Sequence, residues 1–127
     1  MNDKTQLKWL RWVLIVTGVI FIVVIYPFTV YWPSGWAWHG GGYSHYLPMI
    51  LGIYATLGVF LLLASRDPLQ HRSLIWFTVW SSVAHAGIMA VQSFMDSKEQ
   101  GHLIGDVPAL LVVAAALAYL TPRKAGR

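Results

Sequence analysis

The sequence predicts an all-α membrane protein, an antiparallel four-helix transmembrane bundle forming one domain over residues 1–127, with both termini cytoplasmic. Three observations predict it. Only 11% of the 127 residues are charged and 57% are hydrophobic, whereas ordinary soluble domains carry roughly 25% charged residues to wet their surfaces. Four stretches, about 12–31, 46–64, 74–94 and 103–120, approach or meet the about 20 mostly apolar residues needed to cross ~30 Å of hydrocarbon. The cations are distributed unevenly. Lys4, Lys8 and Arg11 precede the first stretch, Arg66 and Arg72 flank the second connection, and Arg123, Lys124 and Arg127 follow the last, leaving Lys98 alone on the other side. Cytoplasmic retention of Lys and Arg then places both ends and the middle connection inside.

The first span begins after a basic, aromatic segment and runs on past Pro27 without a small-x-small cleavage pattern, so it reads as a retained helix rather than a signal peptide. Pro27 is expected to bend its outer third. Residues 33–45, with Trp36, Trp38, His39, Tyr43 and His45, read as an aromatic belt at the outer headgroups. The alternative is a loop hinged at Gly40, Gly41 and Gly42 that covers a ligand. The second span ends at Arg66-Asp67-Pro68. There Asp67 is expected to cap the third helix, with Pro68 at its first position and Gln70 as capping-box partner. His71 reads as a solvated interfacial side chain.

The third span carries the polar groups. Thr78, Ser81, His85, Met89 and Gln92 fall on one stripe of a 3.6-residue wheel, and Trp76, Trp80, Val83, Gly87 and Val91 fall roughly opposite, towards lipid. Ser82, Ala86 and Ala90 form a small-residue ladder suited to close helix approach. In the fourth span His102 and Asp106 are four apart and share a face if that segment is helical. Asp106 is either the N-cap of this helix, because Val107 before Pro108 resists α geometry, or part of a site. A helix starting after Asp106 would be only ~21 Å long, which favours one begun near His102 and bent at Pro108. Thr121-Pro122 stops it.

Polar groups within a bilayer are costly and raise a functional hypothesis by default. The depths of these residues suggest an outer-half pocket formed by His85, Asp106, Gln92, His102 and Tyr54, bordered by Thr56, Tyr26 and Thr29. Imidazole beside carboxylate can relay protons or hold a polar headgroup. The bland reading of His85 is a hydrogen bond that ties the bundle together. The absence of cysteine removes disulfides, thiolate metal sites and C-x-x-C-H haem attachment. No H-E-x-x-H is present, and no metal is expected. Neither a nucleophile elbow around Ser81 and Ser82 nor a basic helix for nucleic acid is found.

The run IYATLGVFLLLASRDP at 53–68, RSLIWFTVWSS at 72–82, His85-Ala86 and the Gly105-Asp106 helix start resemble small four-helix bacterial membrane proteins of unknown function. The resemblance covers roughly 46–120. It implies a bacterial inner-membrane location and a four-helix bundle, includes Arg66, Asp67, Pro68, His85 and Asp106 in the pattern, and carries no activity. The leading expectation is an accessory subunit or small binding protein, with the lipid bilayer and a membrane protein or a second copy as partners. The alternatives are a membrane enzyme acting on a lipid-like or quinone-like molecule through a His/Asp pair, and an oligomeric proton or metal-ion conductor.

Overall fold

A computed structural model describes residues 2–37 and 45–123. His39, Tyr43 and the glycines at 40–42, expected above to hinge a loop, lie outside the described residues. The chain forms helices α1 (Asp3–Val19), α2 (Ile25–Tyr31), α3 (Pro33–Trp36), α4 (Tyr46–Ala64), α5 (Arg72–Met95) and α6 (Asp106–Leu120). A π-helical turn at Ile20–Val24 joins α1 to α2, and 3-10 turns at Pro68–His71 and Ser97–Leu103 precede α5 and α6. No strand occurs among the described residues.

Four helical stretches, Asp3–Tyr31, Tyr46–Ala64, Pro68–Met95 and Ser97–Leu120, are long and apolar enough to cross a membrane. Their outward faces carry Val23, Ile53, Phe60, Phe77, Ile88 and Val112, all exposed. Water would penalise so continuous an apolar girdle, which a bilayer accepts. This is the exterior of a multi-pass membrane protein.

Packing is pairwise. α1 crosses α4 at a pair of facing glycines: a Cβ on Gly58 would stand 2.6 Å from the Gly18 carbonyl oxygen, and one on Gly18 would stand 2.8 Å from that of Gly58. The backbones therefore approach as closely as membrane helices can, which is how small residues replace the missing hydrophobic drive in lipid. α5 packs extensively on α6, whereas α4 and α5 touch only sparsely. Leu10, Leu14, Leu61, Ile75 and Leu117 are fully buried between these elements. The Gln6 side-chain amide donates to the Leu120 carbonyl at 2.9 Å, and Arg72 Nη2 donates to the Arg123 carbonyl at 3.1 Å. These bonds gather the start of α1, the start of α5 and the end of α6 at one basic end of the molecule.

Several local expectations change. Before Pro27 the helix is irregular. Proline lacks an N–H and its ring crowds the carbonyl four residues back, and the strain is absorbed one turn earlier, where the Ile25 N–H reaches the Ile20 carbonyl in a wide π turn. Such turns are a recognised source of helix irregularity. The Asp67 side chain makes no capping bond. Its carbonyl instead receives the Gln70 N–H at 3.1 Å and faces His71 Nδ1 at 3.0 Å, because Pro68 opens a 3-10 turn and α5 begins only at Arg72. Trp76 is half-buried against the core rather than turned outward, while Trp80 is exposed. Ser82 and Ala86 are buried as the ladder requires.

The fourth span also differs from expectation. The α-helix does not begin near His102: it starts at Asp106, with Gly105 as N-cap. Pro108 then occupies the third helical position, where the N–H would have no intrahelical partner and the carbonyl four residues back lies outside the helix. Asp106 is thus neither cap nor mid-helix, but the first helical residue. At the other end Thr121 is extended, as a residue before proline should be, and α6 stops at Leu120.

Candidate functional site

A cavity of about 60 Å³ opens at the end of the bundle remote from the basic end. Tyr54 reaches it from α4, His85 from α5, Asp106 from the first residue of α6, and Trp36 from α3. Leu51, Met89 and Leu110 supply apolar wall. Elements far apart in sequence converge here because late residues of the first and third spans share a level with early residues of the second and fourth.

Tyr54 and His85 are joined by a hydrogen bond between the phenol oxygen and Nδ1. Their rings stack with centroids 5.6 Å apart, and Phe21 meets the other side of Tyr54 edge-on at 4.9 Å. Since α4 and α5 touch little elsewhere, this bond bridges them. A neutral imidazole that accepts from Tyr54 at Nδ1 carries its proton on Nε2. His85 is half-buried. The Asp106 carboxylate lines the same cavity as Tyr54 and His85.

Asp106 is held from its other side. Its Oδ1 lies 2.9 Å from His102 Nδ1, while His102 Nε2 lies 3.0 Å from Glu99 Oε2. The second contact is an ion-pair approach off the line of a good hydrogen bond. His102 itself has no exposed surface. A hydrogen bond from imidazole Nδ1–H to a carboxylate is charge-assisted and stronger than a neutral one. The positive end of α6 also lies at Asp106. These two effects offset the cost of burying its charge.

The roof over this pair is α3. Cβ atoms added at Gly101 and Gly105 would collide with the carbonyl oxygens of Ser34 and Gly35, so only glycine lets the Ser97–Leu103 turn lie against α3. Asp96 opens that turn by accepting the Lys98 N–H at 3.0 Å. Trp36 is locked by Phe28 at 5.0 Å and Trp32 at 6.4 Å between ring centroids. Its indole Nε1 is buried and, among the described residues, has no hydrogen-bond partner. A buried donor without a partner costs about 1–3 kcal/mol, and this one belongs to a cavity wall.

The residues expected to share a pocket therefore divide. His85, Asp106 and Tyr54 line one cavity; His102 stands behind Asp106 and orients it. Gln92 is exposed and outside the cavity wall. Tyr26 and Thr56 point outward, the latter bonding its own helix at the Gly52 carbonyl. Thr29 is buried and turned to the Tyr26 carbonyl, and His45 is exposed at the start of α4. Trp36 and Glu99 were missed. Glu99 was accessible to reasoning, since residues three apart eclipse in a 3-10 turn. No local signal brings Trp36 over the cavity. Among the described residues, no group of three His, Cys, Asp or Glu side chains is placed to hold a metal ion.

A family model described as a family of unknown function (DUF6632) matches residues 4–126. The chain belongs to that family. The match takes in the whole of α2 to α6, and hence every residue of the DUF6632 cavity described above. No curated protein and no solved structure matches the chain.

Proposed function

We propose that this DUF6632 protein is a non-catalytic membrane binding protein or accessory subunit, and that its cavity takes the small polar head of a molecule dissolved in the bilayer. The protein would lie in a bacterial inner membrane as an antiparallel bundle with both termini cytoplasmic, placing the cavity in the outer half. One observation carries the reading: a buried indole N–H that has no partner among the described residues, an imidazole and a held carboxylate converge on one cavity. They amount to two donors and one acceptor, the set that a carbonyl or hydroxyl headgroup satisfies.

Two features bear on the ligand. About 60 Å³ admits a headgroup and excludes a whole drug-sized molecule, which needs about 300–1,000 Å³. The loosely packed seam between α4 and α5, with half-exposed Ile50 beside the cavity, offers an apolar tail a lateral way out to lipid.

Native mass spectrometry on protein extracted gently from its own membrane, with metals read in parallel, tests this. The expected result is a stoichiometric lipid-like ligand that is lost in His85→Ala. A retained partner chain with no small molecule would leave the accessory role and reduce the cavity to packing. A catalytic reading on the same class of molecule has one observation in its favour, the tying of Asp106 to His102 at 2.9 Å, since a carboxylate oriented by a histidine is poised for proton transfer. It requires that the ligand be recovered chemically changed.

A further inference from the structure

A second site lies at the opposite end of the molecule and owes nothing to the cavity. Lys4, Lys8 and Arg11 are spaced by four and three residues, so on α1 they share one face. With Leu7, Trp12 and Ile15 they line a groove of about 490 Å³. No acidic side chain lines it, and among the described residues none of the three cations is in an ion pair.

The groove changes character along the helix. Its first two turns are cationic. Trp12, 54% exposed, marks the change, and Ile15 continues it as apolar wall. From Lys4 to Ile15 the helix rises ~16 Å, enough to run from the headgroup layer into the acyl region. A role in orientation alone asks only that cations lie at this end, anywhere around the helix. It does not ask that they line one groove with an aromatic and an aliphatic side chain beneath them.

We infer that this groove binds an anionic phospholipid. The phosphate sits among Lys4, Lys8 and Arg11, and an acyl chain lies along Leu7, Trp12 and Ile15. Arg11 supplies a planar fork matched to phosphate oxygens and the lysines supply point charges. The Trp12 indole has an apolar body for the chain and a polar edge for the glycerol level.

The test uses the full chain in vesicles of phosphatidylcholine mixed with phosphatidylglycerol, one or the other carrying brominated acyl chains that quench nearby tryptophan. Brominated phosphatidylglycerol is expected to quench more than brominated phosphatidylcholine, and Trp12→Phe, which keeps every charge, should reduce the difference to what the other tryptophans, Trp9 above all, contribute. Lys8→Gln/Arg11→Gln should weaken the preference by about 30-fold, given two cations near an anionic surface. Arg66→Gln/Arg123→Gln removes the same charge outside the groove and should leave the preference intact. Equal quenching by the two lipids would overturn the assignment. So would equal loss in both double variants, which would trace the preference to bulk surface charge. Displacement of phosphatidylglycerol by inorganic phosphate would make the site a phosphate site and overturn the lipid assignment as well.

Discussion

At the scale of single residues the molecule concentrates its polar cost in a few side chains, and each can be weighed separately. The Tyr54–His85 bond is the main tie between α4 and α5. Interhelical hydrogen bonds in membranes contribute about 0.6 kcal/mol on average and ~1.7 at most. Tyr54→Phe should therefore lower stability by about that much in bicelles while leaving the helices formed, as thermal melting followed by circular dichroism would show. His102 is a different case. Removing it takes away the imidazole that stands 2.9 Å from a carboxylate at 8% exposure, and breaking a buried pair costs about 3–5 kcal/mol. His102→Ala should thus destabilise far more than Asp106→Asn, whose amide still fills the place at the helix start. If the two variants melt alike, the imidazole is not holding the carboxylate.

At the scale of elements the controlling features are glycines and prolines. Gly58→Ala drives a methyl group against the Gly18 carbonyl and must part α1 from α4, at about 1–3 kcal/mol. Gly52→Ala meets nothing within 4 Å and gains helix propensity, so it should be neutral or stabilising. The pair of melts separates packing from propensity. Gly105→Ala strikes the Gly35 carbonyl and would displace α3, taking Trp36 from the cavity. Its expected result is loss of any co-purified ligand with His85 unaltered. How far these elements were legible differs between them for physical reasons. α4 spans Tyr46–Ala64 as the apolar run predicts, because nothing inside it competes with the helix. The start of α6 misled because a length argument assumed that all of the fourth span must be α-helical. The Ser97–Leu103 turn supplies the missing reach at ~2.0 Å per residue. Pro27 was visible in the sequence, but its relief through a π turn depends on which carbonyl yields. In the site, Tyr54, His85 and Asp106 followed from depth along straight helices. Trp36 did not, because its place depends on α3 folding back onto glycines more than sixty residues away.

At the scale of the whole molecule the open property is which end faces the cytoplasm, and the charge distribution makes a definite claim. Eight of the nine Lys and Arg residues fall at the termini or the middle connection, and hydrogen bonds gather the start of α1, the start of α5 and the end of α6 at one end. Positive residues near span ends resist export, so that end should be cytoplasmic and the cavity end external. The natural chain lacks cysteine, so a single introduced thiol reports without background. Lys98 and Gln70 are both exposed and lie in different connections. In intact cells a membrane-impermeant maleimide should label Lys98→Cys at once, and Gln70→Cys only after the membrane is opened. The reverse pattern would turn the bundle over and place the cavity on the inner side. Lys98→Cys also removes the one cation that opposes the orientation, so it can only reinforce the native topology. Any labelling of Gln70→Cys from outside therefore counts directly against the charge argument.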